Sequence, residues 1–281
     1  MPEIFEVKRI CSYLQQAGLE GKRICDMTVL PGGDKILRQY SITKWRFYLI
    51  NQQLLSITTK AKYTFLNLNQ GTLVWHYRFT GIPHVDGFSY LGQLDAIFNL
   101  PIQTDSQRYC RFKLFFESDL VLQFIDTRCL AYVQYFPSLK KDELKIFNQL
   151  APDLSNYSPE SFASWQARLR LKTRDLKTEL KDQQTYPSGI GNYLACEILA
   201  QAKLNPWQQA SKLSQQSYDK LCEAILKVKQ NCEQHVDYSW FQVFNRHHCS
   251  YCKANIIRNK HSKTSSSQMT HYCPNCQQEK A

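Results

Sequence analysis

The chain has 281 residues, enough for two ordinary domains that each bury a core of their own. Its formal net charge of +11 suits a polyanionic partner such as nucleic acid, although a merely soluble basic protein has the same balance. The start of the chain carries acids and lacks the apolar run of a secretory signal, and no later stretch reaches the length of a membrane span. We therefore expect a soluble monomer of the cytoplasm and nucleoid, or of the nucleus if the source is eukaryotic.

The eleven cysteines fall into two groups. Seven are scattered without a pairing pattern, and we expect free thiols in a reducing compartment. Four occur as CSYC and CPNC with twenty residues between the pairs, namely Cys249, Cys252, Cys273 and Cys276. Two Cys-x-x-Cys pairs can complete a closed tetrahedral site, so the spacing predicts one structural zinc ion, with a redox pair as the alternative.

The residues between the two cysteine pairs suit two short strands and a polar turn that contains Ser265 to Ser267. This segment holds four Lys and Arg and no acid, as in a hairpin that lies along a phosphate backbone. A protein-binding zinc ribbon fits the same composition. We place the zinc hairpin at residues 244–281.

The first half of the chain has the pattern of a β domain. Helical spacing of apolar residues predicts a helix over 3–17, which Gly18 ends. Short runs rich in β-branched and aromatic residues follow, with polar turns between them, and they predict strands at 24–30, 54–60, 63–68, 72–77, 111–117 and 119–126. We expect an antiparallel β-sandwich or barrel over residues 1–135.

The pattern then changes to helical periods, at 141–150, 159–182, 191–203 and 215–230. A mostly helical domain is expected over residues 136–243. The predicted fold class is therefore α+β multidomain, with an N-terminal antiparallel β-sandwich and flanking helices, a helical domain and a C-terminal zinc-bound hairpin.

Residues 181–206 join a helix end, a Pro and Gly turn and a new helix that begins near Asn192. This segment resembles the helix-two-turn-helix of the formamidopyrimidine-DNA glycosylase and endonuclease VIII family, although an ordinary helix cap also explains an Asn there. The Met-Pro-Glu start, an expected Ala-Lys-Tyr strand at 61–63 and the terminal cysteines stand in the family's order over nearly the whole chain. The resemblance implies that Gly191 and Asn192 bind a DNA phosphate at a helix N-terminus.

The resemblance also implies a set of catalytic residues. After removal of the initiator methionine, the secondary amine of Pro2 is the expected nucleophile, forming an iminium with C1′ of the damaged nucleotide. Glu3 matches the acid that protonates the sugar, and Glu6 matches a second acid that supports the site. Lys62 matches the lysine that holds the lesion's phosphate, with Lys60 on the same strand face as the alternative. Each of these residues also has an ordinary structural reading, such as acids in a first helical turn.

The family's remaining DNA contacts map onto two loops and the hairpin. Phe79 matches the wedge that fills the gap left by an everted base, while Arg128 and Leu130 match the pair that meets the orphaned base. Five residues before the third cysteine, the family's phosphate-binding Arg is replaced by Gln268, which lacks its charge. Residues 203–248 contain no Gly-rich stretch that could fold over an everted purine. We therefore expect a pyrimidine-type or broad substrate.

These residues together predict a bifunctional DNA glycosylase and AP lyase of base excision repair. The expected partner is damaged DNA, and the only expected cofactor is the structural zinc ion. A non-catalytic protein that binds damaged or structured DNA on the same scaffold is the alternative. A zinc-ribbon protein unrelated to repair would require the ordered motifs to be a coincidence.

Overall fold

The computed structural model describes residues 2–88, 108–261 and 268–278, which fall into two compact units, Met1–Gln149 and Leu150–Ala281. The initiator methionine and the predicted turn at Ser265 to Ser267 lie outside the described residues. The division at residue 149 differs from the predicted boundary at 135, and the three-domain scheme stays a prediction.

The first unit is built on two four-stranded antiparallel sheets. One sheet has the strand order β1-β6-β7-β5, with β1 at Ile24–Val29, β5 at Gly81–Val85, β6 at Cys110–Phe116 and β7 at Val121–Asp126. The other has the order β2-β3-β4-β8, with β2 at Leu54–Lys60, β3 at Tyr63–Leu68, β4 at Gly71–His76 and β8 at Tyr132–Pro137.

The two sheets share one hydrophobic core. The ring of Trp75 in β4 lies 5.4 Å from Phe124 in β7 and 6.4 Å from Phe112 in β6, measured between centroids. Buried side chains of both sheets belong to the same cluster of packed residues. This packing confirms the predicted antiparallel sandwich.

Helix α1, Ile4–Gln16, packs against the same core and confirms the helix predicted over 3–17. Val7, Ile10 and Leu14 recur at helical spacing and are fully buried. The helix ends at Ala17, and Gly18 follows at φ +74°, a left-handed conformation that favours glycine. The start of this helix therefore fixes the position of residues 2 to 6.

In the described part of the first unit, three elements were not predicted. Helix α2, Ile42–Leu49, is capped by Ser41, whose side chain accepts a hydrogen bond from the N–H of Lys44. Strands β5 and β8 are the other two, and both lie at the edge of a sheet. Pro83 in β5 has no N–H to donate, and an edge strand tolerates that loss because one of its sides is unpaired.

The second unit is helical and ends in a hairpin. The short α3, Lys145–Gln149, still belongs to the first unit. The helices of the second unit are α4 at Pro159–Leu169, α5 at Leu176–Leu180, α6 at Asn192–Ala202 and α7 at Gln215–Gln234. Strands β9, Ile257–Lys260, and β10, Met269–Tyr272, pair in antiparallel fashion, with one cysteine pair before β9 and the other after β10. The helical region and the terminal hairpin of the predicted fold class are therefore confirmed. Within the described chain, we find no helix both long and apolar enough to span a membrane.

The single helix predicted over 159–182 is wrong. The chain leaves the helical conformation after Leu169 and begins a new helix at Leu176. The carboxylate of Asp175 accepts hydrogen bonds from the N–H and the hydroxyl of Thr178, both at 2.8 Å, so a strong N-cap starts α5. The predicted helix over 141–150 is likewise reduced to a 3-10 turn, Lys141–Glu143, and α3.

Candidate functional site

The three predicted catalytic residues at the N-terminus lie together at the start of α1. Pro2 is buried, and the side chains of Glu3 and Glu6 are buried as well. Glu3 is the N-cap of the helix, and its backbone N–H donates to Oε2 of Glu6 at 2.9 Å, one half of a capping box. The local fold thus holds two carboxylates within one helical turn of Pro2.

Lys62 lies in the tight turn between β2 and β3, and the Ala-Lys-Tyr segment is not a strand as predicted. Ala61 has a φ of +53°, and the strands pair on either side of the turn through Lys60 and Tyr63. Lys60 and Lys62 therefore do not share a strand face. The ammonium of Lys60 donates to the carbonyl of Phe147 at 2.8 Å, and it lies 4.2 Å from the centroid of that ring.

His76 was missed in the sequence analysis, and the positive charge of Lys62 affects its pKa. Burial, together with the positive charges of Arg78 and Lys62, lowers the pKa of His76 to about 3. Its ring stacks on Tyr132 at 5.1 Å, and its Nδ1 accepts the N–H of Arg78 at 3.2 Å. The available signal was a histidine at the end of a predicted strand, two residues before Arg78.

The predicted readout residues Phe79 and Arg128 come together. The guanidinium carbon of Arg128 lies 4.9 Å from the centroid of the Phe79 ring, within the range of a cation–π contact. The two loops leave the adjacent strands β5 and β7 at one edge, where Gly81 pairs with Asp126. Phe79 is 37% exposed and Leu130 is 40% exposed, so both offer apolar surface to a ligand.

The carboxylate of Asp126 organises this pair of loops. It accepts the N–H groups of Arg128 at 3.1 Å and of Leu130 and Ala131, each at 2.8 Å. It also accepts the hydroxyl of Thr80, which joins the loop of Phe79 to the same acceptor. Because Asp126 is fully buried, these bonds fix the backbone from which the exposed side chains project.

In the second unit, α6 begins at Asn192 with Gly191 as its N-cap. Nδ2 of Asn192 donates to the carbonyl of Met269 at 3.0 Å, next to Gln268 in the hairpin. Among the described side chains, Oδ1 of Asn192 and Oε1 of Gln268 are buried acceptors without a hydrogen-bond partner. The structure thus brings the predicted contacts Gly191, Asn192 and Gln268 to the junction of α6 and β10.

Lys177 supports this junction and was also missed. Its side chain is fully buried, and its Nζ donates to Oγ1 of Thr270 at 2.7 Å. The sequence around it has the pattern of a surface helix, so nothing marked it as a buried cation. Lys177 therefore joins α5 to β10, the strand that directly follows the predicted DNA contact Gln268.

The four terminal cysteines form a compact cluster. All four sulfur atoms lie within 4.8 Å of one another, with 3.9 Å between Cys249 and Cys276 and 3.4 Å between Cys252 and Cys273. Ligands at about 2.3 Å from a tetrahedral zinc ion would stand about 3.8 Å apart, close to these separations. The donor set and its geometry therefore fit a structural zinc ion.

Two family models match most of the chain. The Formamidopyrimidine-DNA glycosylase N-terminal domain matches residues 1–133, and the Formamidopyrimidine-DNA glycosylase H2TH domain matches residues 150–235. Among curated relatives, the formamidopyrimidine-DNA glycosylase of an Exiguobacterium species is 27% identical, covering 99% of this chain and 100% of the relative. That of a Synechococcus species is 29% identical, covering 81% of this chain and 77% of the relative.

Solved structures share the fold over the whole chain. The Lactococcus lactis formamidopyrimidine-DNA glycosylase, bound non-covalently to DNA with an AP site, superposes with a TM-score of 0.78 at 21% identity, covering 99% of this chain and 100% of that one. MutM in complex with DNA containing carbocyclic 8-oxo-G has a TM-score of 0.77 at 21% identity, with the same coverage. At this identity the likeness concerns the fold alone.

Proposed function

Because the chain belongs to the formamidopyrimidine-DNA glycosylase family, we propose that it is a bifunctional DNA glycosylase and AP lyase acting on oxidised bases. The observation that carries the proposal is the arrangement at the start of α1, where Glu3 and Glu6 are buried next to Pro2. Two adjacent buried acids beside an N-terminal amine are the groups that this chemistry requires.

The amine of Pro2 is the proposed nucleophile, once the initiator methionine has been removed. An α-amino group has a pKa of roughly 8, so a useful fraction is neutral near pH 7. Attack of its lone pair on C1′ forms the C–N bond, and the glycosidic bond breaks with its electrons leaving on the base. The departing base takes up the proton that the substituted nitrogen releases, and the nitrogen lone pair then expels the ring oxygen, which leaves an iminium between Pro2 and an opened sugar.

Glu3 is the proposed general acid, and it delivers its proton to the sugar ring oxygen as the ring opens. Glu6 holds the backbone N–H of Glu3 and so positions the helix start that carries both groups. The iminium then makes the 2′ proton acidic. Loss of that proton and departure of the 3′ phosphate, by β-elimination, cut the strand.

Phosphate binding is assigned to both units. Lys62 supplies a cation from the turn between β2 and β3, while the ammonium of Lys60 is engaged by Phe147. Gly191 and Asn192 supply the N-terminus of α6 and a side-chain amide. Cys249, Cys252, Cys273 and Cys276 would hold a zinc ion whose role is to keep the hairpin in shape.

The loops that carry Phe79, Arg128 and Leu130 are the proposed readers of the strand opposite the lesion. Phe79 has the exposed ring required of a wedge, and Arg128 has donors for an orphaned base. Their contact with each other keeps both side chains at one edge of the sandwich before DNA arrives. Because the two side chains are already held in place, they lose less conformational entropy when DNA binds.

One observation favours the second candidate, a non-catalytic protein that binds damaged DNA. The carboxylate of Glu6 and the N–H of Glu3 satisfy each other in a capping box, which is a purely structural use of an acid. The neutral Gln268 also gives a weaker phosphate contact than an arginine. The two candidates differ in whether the protein excises a base at all, and the first also requires that excision depend on Glu3.

Excision assays of the wild type and of a Glu3→Gln variant separate them. We expect the variant to lose excision of an oxidised pyrimidine from duplex DNA by at least about a hundredfold, because an amide cannot protonate the sugar. Cleavage of a preformed abasic site should persist, because its aldehyde is already open to the amine. The matched control Glu160→Gln, an exposed acid in α4, should retain both activities. Equal excision by Glu3→Gln and the wild type would contradict the proposed acid, and no excision by the wild type on a panel of oxidised bases would favour the binder.

A further inference from the structure

A large polar groove lies in the second unit between the end of α6 and the start of α7. It has a volume of about 780 Å³, and its walls include Lys203, Lys212, Lys220 and Trp207. We call it the lysine groove. A second groove of about 490 Å³ shares Lys203 and Lys220 with it and adds Lys227.

Among the described residues, no acid in the wall balances the positive charge of the lysine groove. Its other polar side chains are mostly glutamine and serine. The second groove adds Glu223 as an acid. No ion pair found within the described chain involves Lys203, Lys212 or Lys220. Amide, hydroxyl and ammonium donors without acids are the groups that contact phosphates and sugars.

Two aromatic rings lie in or beside the lysine groove. Trp207 lines the groove, with its ring stacked on His261 at a centroid distance of 5.6 Å. The ammonium of Lys203, in the groove wall, lies 5.2 Å from the centroid of Tyr251, a ring that is 50% exposed and stands beside the groove, not in its wall. Basic side chains interleaved with accessible aromatic rings suit unpaired bases, which stack on the rings while lysines follow the backbone.

The groove is separate from the proposed contacts at Asn192. Asn192 begins α6 and Lys203 caps its other end, so the two are separated by the length of an 11-residue helix, about 16 Å.

Hydrogen bonds also fix the wall of the groove. Gln277 accepts the N–H of Cys273 at 2.9 Å and donates to the carbonyl of Leu204 at 2.9 Å, which joins the cysteine cluster to the end of α6.

We propose that the lysine groove binds a single-stranded segment of nucleic acid, as a second site beyond the one that holds the lesion. A recessed groove with aromatic rings favours unpaired bases, whereas a duplex presents only stacked bases and phosphates. The site requires no reaction of its own. It lets the protein bind single-stranded DNA at the end of α6 opposite the proposed phosphate contact at Asn192.

The test uses the full-length protein and a fluorescent oligothymidylate without any lesion, with binding followed by anisotropy at several salt concentrations. The variant Lys212→Ala/Lys220→Ala removes two groove cations, and Lys140→Ala/Lys145→Ala removes two from the first unit as a matched control. The groove variant should bind about tenfold more weakly at about 0.1 M salt, and its salt slope should fall by about 1.4, from about 0.7 for each lost phosphate contact. The control should match the wild type.

A third variant, Tyr251→Leu, tests stacking. It should weaken oligothymidylate binding severalfold with an unchanged salt slope, because it removes a ring and no charge. Borohydride trapping on an abasic-site duplex should be equal in the wild type and all three variants, which makes the outcome independent of the proposed glycosylase activity. Wild-type affinity for oligothymidylate in the groove variant would overturn the proposal, and so would an equal loss of affinity for undamaged duplex.

Discussion

The guanidinium of Arg128 lies over the ring of Phe79, with 4.9 Å between its central carbon and the ring centroid. The two residues are 49 positions apart in the sequence, and they meet because β5 and β7 are paired neighbours that bring both loops to one edge. Asp126 holds the loop of Arg128 through its backbone, and a hydrogen bond from Thr80 ties the loop of Phe79 to the same carboxylate. A wedge and a base reader on this scaffold are therefore expected to act as one unit.

A double-mutant cycle tests that coupling. Phe79→Ala and Arg128→Ala should each weaken binding to an abasic-site duplex, by about 1 to 3 kcal/mol. The double variant should lose less than the sum, because each single change also removes the contact between the two side chains. Binding is to be measured by anisotropy on one duplex. Strict additivity would mean that the two side chains separate in the complex.

Asp126 should be the structural support of this edge. Asp126→Asn replaces one acceptor oxygen with an NH₂ group that faces backbone donors, and we expect a loss of about 2 to 3 kcal/mol in the free energy of unfolding. Urea unfolding measures it. Asp34→Asn, at an exposed position, is the matched control and should change stability by less than about 0.5 kcal/mol. A variant as stable as the control would show that the loop does not depend on this carboxylate.

His76 should make the protein sensitive to acid. Its pKa is about 3 in the folded chain, against about 6.5 in an unfolded one, so the unfolded state binds more protons between these values. The stability contribution is fully present above pH 6.5 and is lost as the pH falls toward 3. His76→Gln should flatten the fall in the unfolding free energy between pH 6.5 and 4, whereas the exposed control His235→Gln should not. Parallel pH profiles for the wild type and His76→Gln would contradict this assignment.

Restoring a cation in the hairpin should strengthen DNA binding. Gln268→Arg adds one charge-assisted phosphate contact, and we expect tighter binding to an abasic-site duplex together with a salt slope steeper by about 0.9. Gln268→Met, which is similar in size and uncharged, serves as the control. An unchanged affinity and slope in the arginine variant would show that this hairpin position does not meet a phosphate.

Much of the architecture could be predicted because it rests on local patterns. The period of Val7, Ile10 and Leu14 predicts α1, and alternating apolar runs predict six of the eight sandwich strands. The spacing of the cysteines predicts their cluster, since each pair must bring two sulfur atoms together. These features follow from residues that are close in sequence.

Features that depend on distant partners could not be predicted. Strand β5 contains Pro83, and only its place at a sheet edge makes that residue acceptable. Lys177 is buried because Thr270 of the hairpin, 93 residues away, accepts a hydrogen bond from its ammonium. The contact of Arg128 with Phe79 likewise needs the sheet to be assembled first. The roles of the proposed site residues stay predictions, since they concern a reaction with DNA.

The most direct test of the account is borohydride reduction of the wild-type protein on duplex DNA with an abasic site, followed by peptide mass spectrometry of the adduct. We expect a covalent adduct on the amine of Pro2, because borohydride reduces an iminium to a stable amine. The variant Pro2→Glu removes the secondary amine, and because methionine is retained before a large residue, the remaining α-amine is displaced by one residue and should give no adduct. An adduct on another residue such as Lys62, or no adduct with the wild type on any abasic DNA, would contradict the proposed mechanism.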